Sequence, residues 1–175
     1  MDVHIRPATE TDLPAITAMQ NALVLTTTGE WIDEPHTVEG RTEWFVRQHR
    51  RGFPVLVAEI TGTTVGFASY GDFRDSELRP GYRFTVEHTI HVDAAHQGAG
   101  IGGRLLEALV DHARQAGKHL MVAAVDGEND ASVRFHERCG FAEVARIPEM
   151  GAKFGRWLTL VLLVRRLDDA PVPPP

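Results

Sequence analysis

The sequence predicts a single mixed α/β domain, and three observations lead there. Its 175 residues can bury one sizeable core but not two. Stretches with apolar residues at alternate positions take turns with stretches whose apolar residues recur every three or four. In the second half these segments run strand, helix, strand, helix, the pattern of a sheet covered by helices. Hydrophobic residues at 43% and charged residues at 24% are ordinary for a globular chain.

Residues 3–6 alternate and read as a short first strand. Thr9 and Thr11 are candidate N-caps for a helix over residues 12–25, with Pro14 tolerated in its first turn. Leu13, Ile16, Met19 and Leu23 share one face of it. Three threonines and Gly29 then open a loop that runs to Pro35, and a second helix spans residues 37–51. Residues 53–60 and 64–70, separated by Thr61-Gly62, form a hairpin signature. Residues 71–81 are a loop and 83–92 a long strand. The most amphipathic helix covers residues 99–116, with Ile101, Leu105, Leu106, Leu109 and Val110 inward and Gly117 as its stop. Residues 120–125 are continuously apolar, as in a strand covered on both faces. A short helix over residues 131–138 ends at Gly140, and strands over 141–147 and 155–167 close the chain. Residues 168–175 are proline-rich and read as a flexible tail behind a domain of residues 1–167.

Composition narrows the function. A formal net charge of −6 argues against a nucleic-acid partner, which calls for a basic face. One cysteine, Cys139, excludes an intramolecular disulfide and fits a reducing compartment. Residues 1–7 lack the apolar run of a signal peptide, and no window approaches the ~20 apolar residues of a membrane span. The expectation is a cytoplasmic protein with no membrane partner.

His96-Gln97-Gly98-Ala99-Gly100-Ile101-Gly102-Gly103 lies between a strand and the strongest helix. Glycines allow close backbone approach, and a helix start offers free N–H groups and partial positive charge, so the segment suits a phosphate or pyrophosphate. A nucleoside-triphosphate loop would need Lys-Ser or Lys-Thr after its last glycine, and none follows. Gly98, Gly100 and Gly103 match a dinucleotide fingerprint in spacing, yet Lys118 and His119 occupy the place of its acidic residue. A ligand-free glycine turn and a Gln-x-x-Gly-x-Gly signature, here Gln97, Gly100 and Gly102, complete the alternatives.

That last pattern resembles the pyrophosphate-binding signature of the GNAT N-acetyltransferase superfamily. Asn129, Gly140 and Phe141 around the short helix resemble its second acetyl-CoA segment. His136-Glu137 stands where the superfamily often has Tyr-Glu, and a histidine there is typical of the phosphinothricin and methionine sulfoximine or sulfone acetyltransferase branch. Glu30-Trp31, Ala68 to Arg74, Thr85-Val86-Glu87-His88-Thr89 and Lys153-Phe154-Gly155-Arg156-Trp157 are similar to that branch as well, so the resemblance covers all but the tail. Asp75-Ser76-Glu77-Leu78 departs from the branch's aromatic-containing stretch, which touches the pocket lining.

The resemblance implies a mostly antiparallel mixed sheet, splayed to hold acetyl-CoA and flanked by helices. It implies a transfer of acetyl from acetyl-CoA, without a metal, to a small amino-acid-like amine. Glu87 is then the general base, against the plain alternative of a surface glutamate. His136 protonates the thiolate or shuttles a proton, against a half-exposed helix histidine. Ile90, His91, Val92, Gln97, Gly98, Ala99, Gly100, Ile101, Gly102, Gly103, Asn129 and Ser132 would bind the cofactor, with a backbone N–H from Thr89 to His91 meeting the oxyanion. Asn129 has a simpler alternative as an N-cap. Trp31, Phe73, Arg74, Arg83, Glu87, His88, Thr89, Lys153, Phe154 and Arg156 would line the acceptor pocket, Arg74 foremost, because guanidinium clamps carboxylates. Trp157 belongs to the core or to a homodimer interface. An open acceptor groove for a protein N-terminus, another amine, or a non-catalytic acetyl-CoA sensor are the competing readings.

Overall fold

The computed structural model describes residues 2–171. Seven strands form one sheet in the order β1-β2-β3-β4-β5-β7-β6. They are β1 His4–Pro7, β2 Val55–Ile60, β3 Thr63–Asp72, β4 Thr85–Val92, β5 Leu120–Asp126, β6 Ala142–Lys153 and β7 Arg156–Arg166. The helices are α1 Leu13–Thr26, α2 Val38–Arg50, α3 Ile101–Gln115 and α4 Asp130–Arg138. Every neighbouring pair is antiparallel except β4 and β5.

The period-2 and period-3.6 patterns place the core in two layers. Ile101, Leu105, Leu106 and Leu109 of α3 and Val133 of α4 pack on Val86, Met121 and Ala123 beneath the sheet. Leu13 and Ile16 of α1 and Phe45 of α2 pack on Val55, Val57 and Phe67 above it. The buried apolar area on both faces is the main term that stabilises the fold.

Three boundaries differ from expectation. Thr9 caps a 3₁₀ turn over Glu10–Asp12 rather than α1, with its N–H 2.8 Å from Asp12 Oδ2. β6 runs six residues past its expected end, through Pro148 and Gly151, which read as breakers. It is the edge strand, where a missing N–H or side chain is tolerated. Of the tail, Asp168 and Ala170 are tied down: His119 Nδ1 lies 2.8 Å from Asp168 Oδ1, and Arg166 donates to both backbone carbonyls. Residues 172–175 lie outside the described part.

Candidate active site

The site grows out of the one parallel pairing. β4 and β5 are matched only at Thr85↔Leu120, Val86↔Met121 and Glu87↔Val122, although both strands continue. Beyond that fork the sheet is open. Phe73 N–H donates to Thr85 O at 3.2 Å and Asp93 N–H to Val65 O at 2.9 Å. Backbone groups alternate along a strand, so His88, Ile90 and Val92 turn theirs into the opening. By the same alternation on the β7 side, where Gly127 N–H meets Thr159 O at 2.7 Å, Ala124 turns its backbone inward from β5. Of the expected Thr89–His91 span, only the Ile90 N–H faces the gap; those of Thr89 and His91 face β3.

At the wide end stands the glycine segment. Gly98 and Gly100 both have φ +78°, the left-handed region that glycine enters without strain. Gly100 is the N-cap of α3, so no side chain caps the helix, and its first turn holds no acid. A Cβ on Gly102 would sit 3.3 Å from the Phe135 ring, which brings α4 against α3. Gln97 donates to Val92 O at 3.0 Å and ties the loop to β4. Ile101 is buried, whereas Gly98, Ala99 and Gly100 are exposed and Gly102 and Gly103 half-buried. Uncapped N–H groups with a positive helix end suit a pyrophosphate, and unpaired strand edges suit an amide-bearing arm.

The two faces of β4 carry different chemistry. Gly71↔Glu87, Ser69↔Thr89 and Phe67↔His91 are cross-strand pairs, which puts Glu87, Thr89 and His91 on the α1/α2 face. Thr89 and Ala124 are exposed although they lie in central strands, so this face is uncovered at the opening. Glu87 is half-buried there, and burial pushes its carboxyl above the ordinary value. On the opposite face, buried His88 packs on His136, ring centroids 5.1 Å apart, and on Phe141 at 5.5 Å. Burial, then the neighbouring histidines, lower His88 to about 3, and neither of its ring nitrogens has a protein partner. His88 therefore does not line the acceptor face; strand alternation sends it into the layer below. His136 Nδ1 is 2.8 Å from Ser132 O. A carbonyl only accepts, so Nδ1 carries the proton and Nε2 presents a lone pair. Burial lowers His136 as well. Glu87 and His136 thus flank β4 from opposite sides.

The profile of the Acetyltransferase (GNAT) family matches residues 16–141. The chain belongs to this family. It is 43% identical over 169 residues, 97% of both chains, to an L-methionine sulfoximine/L-methionine sulfone acetyltransferase of Salmonella typhimurium. A Salmonella typhimurium protein, yncA, classed as an acetyltransferase and solved with its cofactor acetyl-CoA, superposes with a TM-score of 0.93 at 42% identity, covering 98% of each chain. A Brucella melitensis structure named ribosomal-protein-alanine N-acetyltransferase superposes with a TM-score of 0.89 at 40% identity, covering 93% of this chain and 99% of that one. The chain is an acyltransferase that uses acetyl-CoA, and the uncapped α3 start and the open β4–β5 edges have the chemistry to hold that molecule.

Several expected acceptor contacts of this acetyltransferase are committed elsewhere. Lys153, buried, donates from Nζ to Thr27 O at 2.9 Å and to Glu30 O. Arg156 pairs with Glu128 at 2.6 Å. Arg83 stacks on Phe84 at 4.3 Å and donates to Pro80 O. Arg74, unlike these, is exposed with no ion-pair partner among the described residues, 5.9 Å from the rings of both Phe73 and Tyr82. Trp31 packs against Gly151, where a Cβ would overlap its ring. Asn129 Oδ1 caps α4 by accepting the Ser132 N–H at 3.0 Å. Phe154 is exposed with φ +50°, and Trp157, 68% exposed, is not a core residue. Sequence reasoning missed Gln20, Thr28, Arg41 and Asp126, whose partners are distant in the chain. Among the described residues no group of three or more His, Cys, Asp or Glu is arranged to hold a metal, and no helix is long and apolar enough to cross a membrane.

Proposed function

We propose that this acetyltransferase acetylates the α-amine of L-methionine sulfoximine or L-methionine sulfone, with phosphinothricin as a related acceptor. The single observation that carries this reading is the 43% identity over nearly the whole of a relative named for the first two. Acetyl-CoA supplies the activated carbonyl. An amino-acid amine is largely protonated at neutral pH, so Glu87 takes its proton, directly or through water; a carboxylate raised by burial is the better base. The Ile90 N–H, facing the opening, meets charge developing on the carbonyl oxygen. His136 presents its Nε2 lone pair, so it takes the second proton that the nitrogen sheds on acylation and passes it to the departing thiolate. Arg74, backed by Phe73 and Tyr82, holds the acceptor's carboxylate.

We place the enzyme in the cytoplasm, where its lone cysteine stays reduced, and assign it the detoxification of such glutamate- or methionine-like inhibitors. It works as a homodimer: Val144, Met150, Phe154 and Trp157 expose apolar surface together on the β6–β7 hairpin.

Thiol release with L-methionine sulfoximine, the sulfone and phosphinothricin tests the reading. The wild type turns over the first two, and Glu87→Gln loses about 10² to 10⁴ in kcat. A second reading, acetylation of a protein N-terminus, is favoured by the name of the Brucella melitensis structure. An alanine-initiated peptide in the same assay decides it: turnover of the peptide alone would replace the amino-acid reading.

A further inference from the structure

The loop between α1 and α2 bridges the fork in the sheet. Thr28 Oγ1 donates to Asp126 Oδ2 on β5. Glu30 Oε1 accepts from Gln20 at 2.8 Å and lies 3.0 Å from His91 Nε2 on β4, a close electrostatic contact rather than an aligned hydrogen bond. The last matched pair is Glu87↔Val122. Four residues further along each strand stand His91 and Asp126, the two positions that would face each other had the ladder continued. The loop therefore anchors on both arms at one level, about 13 Å beyond the fork at strand rise. Lys153, at the end of β6, fixes the same five residues by donating to the carbonyls of Thr27 and Glu30. Its ammonium has no carboxylate partner among the described residues, so these carbonyls are its charge compensation. Beneath Glu30, buried Arg41 donates to Gln20. Burial would raise the Glu30 carboxyl, yet His91 and Gln20 hold it below the ordinary value and keep the anchor charged.

We propose that the Thr27–Trp31 loop is a strap that sets the spacing of the β4–β5 opening, with Thr28, Glu30 and Lys153 as positioning residues for acetyl transfer. It touches the wall strands from the acceptor face, where Glu87 and Thr89 also lie, and leaves the α3 face clear for the cofactor. A shift of one arm by about 1 Å moves the bound arm of acetyl-CoA relative to Glu87, an error worth on the order of 10²-fold in rate. The inference rests on acetyl-CoA lying in this opening, not on the identity of the acceptor.

The test uses the whole chain with Thr28→Val, the double variant Thr28→Val/Glu30→Gln, Lys153→Met and Lys153→Arg. Calorimetry with acetyl-CoA and steady-state kinetics are read beside melting temperature. The strap predicts acetyl-CoA affinity weakened roughly tenfold in the double variant and Lys153→Met, and kcat reduced roughly 10- to 100-fold. The acid limb of the pH profile stays in place because Glu87 is intact, and Lys153→Arg, which still donates twice, recovers part of the loss. Wild-type affinity and kcat in the double variant would overturn the proposal, whatever its melting temperature. Thr28→Val, nearly isosteric, keeps the test decisive should Lys153→Met fail to fold. If the wild type turns over none of the acceptors, the substrate reading fails while the calorimetric arm still judges the strap.

Discussion

His88 and Glu87 are adjacent in sequence and opposite in environment, because a strand sends successive side chains to opposite faces. Glu87 reaches an uncovered surface; His88 is sealed beneath it with two unpartnered nitrogens. Its folded value of about 3 lies far below the 6.5 of an ordinary histidine. As pH falls below 6.5 the unfolded chain takes up a proton that the folded chain refuses, so stability drops from there down to about pH 3. Above 6.5 both states are neutral and the effect vanishes. His88→Leu removes the penalty. Its melting temperature relative to wild type should therefore rise as pH goes from 8 to 5; a pH-independent difference would contradict this.

At the scale of elements, the glycine segment is the feature most exposed to a single change. Gly100 is the left-handed N-cap of α3, and a Cβ there would meet nothing within 4 Å. Gly100→Ala therefore adds backbone strain of about 1–2 kcal/mol without a clash. We expect a modestly lower melting temperature and a raised KM for acetyl-CoA, with the acceptor KM unchanged. The same element was plain in the sequence: five apolar residues at helical spacing and a glycine-rich start leave little else to read. β5 was equally plain from its unbroken apolar run. β6 is longer than the residue pattern predicts: it holds Pro148 and Gly151, and its place at the sheet edge makes them harmless. Near the N-terminus Asp12 ends the 3₁₀ turn that leads into α1. Its buried carboxylate takes the Thr9 N–H, the Thr64 hydroxyl and the Arg6 guanidinium, which tie β1, β3 and the 3₁₀ turn together.

Taken as a whole, the molecule puts its chemistry where two strands part, and that parting is not written in any one segment. Glu87, Gln97, Gly100 and His136 could be named from local pattern and resemblance. The anchors Thr28–Asp126 and Lys153–Thr27 span 98 and 126 residues, so only the assembled sheet brings them together. The same separation explains the misplaced lysine: its type suits an acceptor carboxylate, but its site offers two carbonyls. The exposed β6–β7 hairpin belongs to this scale too. Light scattering should give about twice the 19.4 kDa chain mass, and Trp157→Glu should halve it; a wild-type monomer at assay concentration would sink the dimer.

A sheet forked in this way is one strand short. Its two halves, β1 to β4 and β5 to β7, share three matched pairs, so an arm of acetyl-CoA laid in the gap would do for this fold what an eighth strand would. Coenzyme A keeps that arm after it has given up its acetyl group. Product inhibition follows from such an architecture: free coenzyme A should compete with acetyl-CoA for the gap, and initial rates at several coenzyme A concentrations check it, since inhibition that is not competitive with acetyl-CoA would contradict it.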